Sequence, residues 1–312
     1  MIKLTVKNTS GGLHGHQLKD LLGGITIAKV FGINYVHTPY DYLEFFGVGY
    51  RESTMSLKTK FLSKRAKLRG PKWDGMSYEE AKAMLDPVIQ KGKNTLIVIE
   101  NALRIHPCQT VEWYEKGLIK ADVCNEIILS TSKKFEEKHK ERQTYYDPSK
   151  VNIAMHINRG QDYDPIRFPK HFTDSSNPRY IFPISYYKNI YDQIVKSLNG
   201  KPHTLHIYTE KLNSEEIVEA FDNSDNVKLH IGANRMEKKD DMIHDIFYHF
   251  VKSDILVACN SSFSCMPAYF RYNKPMIYHP HKHLFGLKYK SYFETDIEGN
   301  FNNENLNEFI HD

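Results

Sequence analysis

Val151-Asn152-Ile153-Ala154-Met155-His156-Ile157-Asn158-Arg159-Gly160-Gln161-Asp162 is an apolar run that breaks into polar and charged residues around a single glycine. A run of this length and composition reads as a buried strand. It delivers a His, an Arg and an Asp to its C-terminal edge, where open α/β sheets hold their ligands. About a hundred residues later a second strand ends in the same manner, at Ser253-Asp254-Ile255-Leu256-Val257-Ala258-Cys259-Asn260-Ser261-Ser262-Phe263-Ser264. One strand end is basic and the other rich in hydroxyls, a pairing that suits a phosphorylated ligand.

The segments around these two strands alternate. The hydrophobic pattern predicts helices over Ser185 to Leu198, Ser214 to Phe221, Asp240 to Val251 and Ser261 to Arg271. Strands are predicted over 151 to 157, Thr204 to Thr209, Val227 to Ile231, Asp254 to Ala258 and Pro275 to Tyr278. Helices of this length between strands imply right-handed crossovers and a parallel sheet. The first half opens likewise: a strand over Met1 to Lys7, the turn Thr9-Ser10-Gly11-Gly12-Leu13-His14-Gly15-His16-Gln17, apolar residues at helical spacing from Leu18 to Ala28, and a strand near Ile33 to His37. A helix from Ser77 to about Gln90 carries the S-x-x-E cap, the strand Thr95 to Ile99 follows, and helical character resumes near Lys133 to Arg142. Gln143 to Lys150, with Asp147-Pro148-Ser149, reads as a linker. We expect an α/β chain of two Rossmann-like domains, residues 1–147 and 148–312.

At 312 residues and 40% hydrophobic the chain can bury two cores. No apolar stretch approaches the roughly 20 residues of a membrane span. The N-terminus lacks a signal-peptide pattern, so a cytoplasmic location is the expectation. Cys108, Cys124, Cys259 and Cys265 show neither zinc-site spacing nor disulfide density and read as reduced thiols, two of them in or near the core. The net charge is only +4, yet Lys58, Lys60, Lys64, Arg65, Lys67, Arg69 and Lys72 follow one another with no acid between Ser53 and Trp73. Such a block reads as a solvated loop or helix face, and it would also attract phosphates, nucleic acid or an anionic membrane surface.

Arg159 offers a permanent charge in a fork that matches phosphate oxygens. Ser261, Ser262 and the backbone N–H groups of the helix that follows them can meet the same anion with the helix dipole behind them. The same serines also read as an ordinary N-cap, worth about 1 kcal/mol. His14 and His16 titrate near neutral pH and are candidates for general base, as are Asp162 and Asp164. Asp162-Tyr163-Asp164 has the form of a divalent-cation triplet, but it lies beyond the Gly160 turn and reads as a solvated loop; no metal is expected.

Three of these segments resemble the fucosyltransferase superfamily of α1,2-, α1,6- and protein O-fucosyltransferases. Gly11-Gly12-Leu13 with Gly15-His16-Gln17 is similar to its G-G-h-G-N-Q opening, with His16 at the Asn and one extra residue after Leu13. His156-Ile157-Asn158-Arg159-Gly160-Gln161-Asp162 resembles its H-h-R-x-G-x-D or H-x-R-R-x-D signature, with Asn158 at the first Arg position and Arg159 beside it. Asn260-Ser261-Ser262-Phe263-Ser264 looks like the N-S-S-F-S of bacterial members, and Leu205 to Glu210 sits where the family has a strand ending in [ST]-[DE].

The resemblance implies a GT-B architecture, two Rossmann-like domains with parallel sheets facing a cleft. It further implies inverting, metal-independent transfer from a nucleotide sugar, GDP-fucose in the first instance, to an oligosaccharide or glycoprotein hydroxyl. The nucleotide sugar would be a co-substrate, with no resident cofactor. By the same resemblance Gly12, Gly15, His16, Gln17, His156, Asn158, Arg159, Thr209, Glu210, Asn260, Ser261, Ser262 and Phe263 are donor-binding candidates. Arg159, Asp162 and His16 are the catalytic candidates: Arg159 to stabilise the leaving diphosphate, Asp162 or His16 to take the acceptor's proton. The same chemistry with UDP-xylose, GDP-mannose or a rhamnose nucleotide is the alternative. A noncatalytic phosphate-ligand or nucleic-acid binder is the other rival, and the chain has no RNA-binding aromatic signature.

Overall fold

The computed structural model describes residues 2–7, 14–37, 43–47, 64–69, 76–91, 94–100, 107–159, 166–177, 180–211, 214–221, 225–232, 240–280 and 289–310. The chain forms two compact units, Met1–Glu141 and Arg142–Asp312. Each is built on a wholly parallel sheet. Among the described residues no helix is long and apolar enough to cross a membrane.

The first unit runs β1 (Lys3–Lys7), α1 (His14–Val30), β2 (Asn34–Tyr35), α2 (Leu43–Phe46), β3 (Lys64–Arg69), α3 (Tyr78–Lys91), β4 (Thr95–Glu100), α4 (Gln109–Glu115) and α5 (Val123–Lys138). Its strands lie in the order β2-β1-β4-β3. Leu4 and Val6 pair with Ile97 and Ile99 and are buried with Leu18, Leu21 and Leu22 of α1. Gly24 lets α1 sit against the sheet, for a methyl there would collide with the side chains of Val6 and Tyr35. The cap on α3 forms as its sequence dictates: Glu80 N–H donates to Ser77 Oγ at 3.1 Å and Ser77 N–H to Glu80 Oε2 at 2.8 Å.

Two features of this unit differ from the sequence reading. The core of the basic block, Lys64–Arg69, is neither loop nor helix but an edge strand on β4. Ala66 and Leu68 are half-buried while Arg65 and Lys67 are exposed. That is the period-2 pattern of a strand, and cations on an edge strand also discourage edge-to-edge aggregation. Helix α5 begins ten residues before the predicted Lys133, because Asp122 caps it by accepting the Asn125 N–H at 3.0 Å; it ends at Lys138.

The second unit runs β5 (Val151–His156), α6 (Lys170–Thr173), α7 (Ile184–Leu198), β6 (His203–Glu210), α8 (Glu215–Phe221), β7 (Val227–Gly232), α9 (Asp240–Lys252), β8 (Ile255–Ala258), α10 (Ser262–Cys265), β9 (Met276–Tyr278) and β10 (Tyr292–Glu294). Its sheet order is β10-β9-β8-β5-β6-β7. Counted within the unit and read from the β7 edge, this is 3-2-1-4-5-6, the order of dinucleotide-binding sheets. One face carries the apolar core: Ile153, Met155, Leu205, Ile207, Ile255, Val257 and Ile277 pack with Ile190, Ile194 and Leu198 of α7. The opposite face, towards α9, is more polar and holds His156, His206, Tyr208 and His230; Phe250 of α9 meets His156 and Tyr208 edge-on or tilted.

Segment 142–150 packs with the second unit. Tyr146 Oη lies 2.9 Å from Tyr208 Oη and donates to the His249 carbonyl, and Asn152 Nδ2 donates to the Asp147 carbonyl at 2.8 Å. The helix predicted from Ser261 to Arg271 is α-helical only to Cys265; a 3₁₀ turn over Met266–Phe270 replaces the rest. Pro267 has no N–H to donate to the fourth residue back, which accounts for the change of winding.

Candidate functional site

In the second sheet β5 and β8 are adjacent while the chain leaves them toward opposite edges, so the crevice at their C-terminal ends is the topological switch point. Both stretches singled out from the sequence end here. Strand β5 delivers His156, then Asn158 and Arg159; β8 delivers Cys259, Asn260, Ser261 and Ser262. The ends touch: Cys259 Sγ lies 3.2 Å from His156 Nδ1, and the rings of His156 and Phe263 are 6.0 Å apart, edge to face.

The hydroxyl-rich end is a tight, internally bonded turn. Ser261 Oγ accepts the Phe263 N–H at 3.3 Å as the cap of α10, and the Ser261 carbonyl accepts from the N–H groups of Ser264 and Cys265. Asn260 Nδ2 donates to the Tyr180 carbonyl at 3.2 Å. Asn260, Ser261, Ser262 and Phe263 are all half-buried. With only four α-helical residues behind it, this turn has less of the helix dipole than the sequence suggested, and its hydroxyls and backbone N–H groups are what it offers an anion.

Arg159 is the most enclosed member of the site, with 1% of its surface exposed. Its Nη2 donates to the Phe182 carbonyl at 2.8 Å, its Nε lies 3.9 Å from a carboxylate oxygen of Glu216, and its guanidinium is 6.0 Å from the Tyr187 ring centre. Thr209 and Glu210 finish the neighbouring strand β6 and are buried. Burial pushes the Cys259 thiol up to about 12, so it is a protonated thiol at neutral pH.

The sequence-predicted residues therefore divide into three groups. His156, Asn158, Arg159, Thr209, Glu210, Asn260, Ser261, Ser262 and Phe263 lie along the C-terminal ends of β5, β6 and β8. Gly15, His16 and Gln17 form the first turn of α1 in the other unit. Gly12, Asp162, Asp164 and the flanking lysines Lys58, Lys60 and Lys72 lie outside the described residues, as do the side chains of His14 and His16. Among the described residues no cluster of His, Cys, Asp and Glu could hold a metal ion.

Sequence reading missed Cys259, Glu216 and the Tyr180–Phe182 segment. Cys259 directly precedes the Asn260 motif and was within reach. The contacts of Glu216 and Phe182 with Arg159 come from helix and loop packing that no local pattern signals. All four cysteines are free and buried, rather than two.

No protein-family model matches the chain, and no curated protein matches it. Solved structures to which it is similar include POFUT1 in complex with GDP-fucose, at 15% identity over 89% of this chain and 97% of that chain, TM-score 0.42. Arabidopsis thaliana FUT1 in complex with GDP is similar at 12% identity over 90% of this chain and 70% of that chain, TM-score 0.44. The fucosyltransferase NodZ from Bradyrhizobium is similar at 12% identity over 96% and 97%, TM-score 0.40.

Proposed function

We propose that the chain is a glycosyltransferase that moves a sugar, fucose in the first instance, from a nucleotide-diphosphate donor to a hydroxyl of an oligosaccharide or glycoprotein glycan. Transfer proceeds with inversion and without a metal ion. One observation carries this reading: at the switch point of a 3-2-1-4-5-6 parallel sheet, a strand end bearing His156 and Arg159 meets a turn bearing Asn260, Ser261 and Ser262. A diphosphate is the ligand whose charge and number of acceptor oxygens suit one guanidinium, one imidazole and several hydroxyl and backbone donors.

Charge accumulates on the departing diphosphate as the glycosidic bond breaks. Donors already fixed in the site stabilise that charge with little reorganisation. In this reading Arg159 exchanges its contacts with Phe182 and Glu216 for phosphate oxygens, and Ser261 and Ser262 hold the remaining ones. An acceptor hydroxyl attacks the anomeric carbon while Asp162 or His16 takes its proton. The exposed Arg65 and Lys67 on β3 favour an additional contact with an anionic acceptor or membrane surface.

Incubation with a panel of nucleotide sugars, scoring release of free nucleotide, tests the reaction. GDP against UDP in a thermal-shift titration tests the base, because a ligand that binds only the folded state raises its stability by RT ln(1 + [L]/Kd). We expect GDP-fucose to be turned over and GDP to stabilise. If no nucleotide sugar is hydrolysed or transferred and neither nucleotide stabilises the protein, the reading is overturned.

A further inference from the structure

The contact between the two strand ends does more than bring them together. Cys259 is buried, with 4% of its surface exposed, and among the described residues its Sγ lies within hydrogen-bond distance of two polar side chains: His156 Nδ1 at 3.2 Å and Ser264 Oγ at 3.4 Å. The thiol keeps its proton, so it has one S–H to give. The Ser264 hydroxyl faces two carbonyls, Cys259 O at 3.2 Å and Ser261 O at 3.1 Å, and a carbonyl accepts only. Its single proton is taken there, which leaves Ser264 Oγ as a weak and more distant acceptor, against a basic ring nitrogen at the shorter distance.

A neutral imidazole has one donor nitrogen and one acceptor, and the bond made at one of them selects the tautomer. We propose that Cys259 is a positioning residue: its S–H donates to Nδ1 of His156 and fixes the ring as the Nε2–H tautomer. His156 then presents an N–H donor, not a lone pair, at the C-terminal edge of the sheet. Phosphate oxygens only accept hydrogen bonds, so this choice turns His156 from a repulsive neighbour of a diphosphate into an attractive one. The rings of Phe250 and Phe263, 5.5 and 6.0 Å from the imidazole, hold its orientation. The consequence for the ligand rests on the proposed diphosphate site; the tautomer itself does not.

Long-range ¹H–¹⁵N correlation spectra of the ligand-free ¹⁵N-labelled protein at pH 8, assigned with His156→Gln, read the tautomer directly. A protonated Nε2 and an unprotonated Nδ1 are expected. Cys259→Ser, whose hydroxyl still donates, keeps that pattern. Cys259→Ala gives a mixture and weakens GDP binding about tenfold, the worth of one hydrogen bond to a charged group. A wild-type ring protonated at Nδ1, or a Cys259→Ala ring with the wild-type pattern, overturns the assignment. The wild-type spectrum decides even if the alanine variant does not fold. A wild-type spectrum as expected, in a protein that binds no nucleotide diphosphate, removes the site reading and leaves the Cys259 assignment standing.

Discussion

The ring of Tyr145 lies flat on the imidazole of His249, their centres 3.6 Å apart and their planes within 19°. The pair belongs to a polar cluster on the α9 face of the second sheet, in which Tyr208, His206 and His249 are buried, His230 is half-buried and Tyr145 is exposed at the rim. Tyr145 Oη is 2.7 Å from Tyr208 Oη, the Tyr208 ring stacks on His230 at 4.6 Å, and His206 Nδ1 is 3.0 Å from His230 Nε2. Two imidazole nitrogens at hydrogen-bond distance need one donor and one acceptor, so His206 and His230 cannot both be protonated and keep this contact.

Acid should therefore unfold the second unit. Burial lowers His206 from 6.5 to about 3 and His230 to about 4, and His249 is lowered as well, again chiefly by burial. Between these values and 6.5 the unfolded chain binds protons that the folded one does not, so stability is fully present above about pH 6.5 and falls with pH below it. Thermal melts from pH 8 to pH 4 are expected to show Tm falling progressively below 6.5. His206→Leu should flatten that slope; a wild-type Tm independent of pH from 7 to 5 contradicts the cluster.

Arg271 is a structural counterpart to Arg159. Its guanidinium, brought down to about 10 by burial, donates to the carbonyls of Phe250, Val251, Ser253, Asp254 and Pro275 and to the Ser253 hydroxyl. It ties the end of α9 to the starts of β8 and β9. Arg271→Ala should cost ~4 kcal/mol or more, since several buried carbonyls lose their donor together. Arg271→Lys should rescue little of this, because one ammonium cannot span that set. Urea midpoints of the three proteins check both statements.

Asp20 works the other way with pH. Its carboxyl, buried inside α1, is raised from 3.8 to about 7, chiefly by burial and against the attraction of Lys19. The unfolded chain ionises this group first, so the stability it contributes is present below pH 3.8 and is lost as pH rises toward 7. Asp20→Asn is expected to melt at a higher temperature than wild type at pH 8, with the gap narrowing as the pH approaches 4. Equal melting at pH 8 would show that the carboxyl is not desolvated.

For the proposed donor site, Arg159→Ala should abolish nucleotide-sugar turnover and also lower Tm, because the side chain is enclosed and bonded to the Phe182 carbonyl. Glu216→Gln separates the two effects. It removes a half-exposed carboxylate that competes with phosphate for Arg159, and an ion pair of that kind is worth about 0.2–1 kcal/mol. GDP affinity measured by calorimetry should rise up to about fivefold, with Tm nearly unchanged.

Much of the second unit was legible because its central strands are buried on both faces and so read as largely apolar runs; Ile153 to Ile157, interrupted only by His156, and Ile255 to Cys259 are the clearest. Strand β10 was not, since Tyr292, Phe293 and Glu294 are three partly exposed residues at a sheet edge, too few to show a period. Lys64–Arg69 concealed its strand behind charge, because only Ala66 and Leu68 mark its inner side. The motif residues of β5 and β8 were placed at strand ends from the sequence, and they lie at the ends of those strands. The burial of Arg159 was not legible, for it depends on Phe182 and Glu216, residues that arrive from α7's approach and from α8.

The pairing of β5 with β8 has a kinetic consequence. Ile153, Ala154 and Met155 align with Ile255, Leu256 and Val257 across about a hundred residues of intervening chain. That contact carries one of the larger loop-closure costs in the unit, and pairings of that separation slow folding. The two strand ends that carry the candidate site therefore come together only when this long-range pairing forms. A chain that extends only to β7 has His156 at the end of a strand with one flank unpaired, and lacks Asn260, Ser261 and Ser262 altogether.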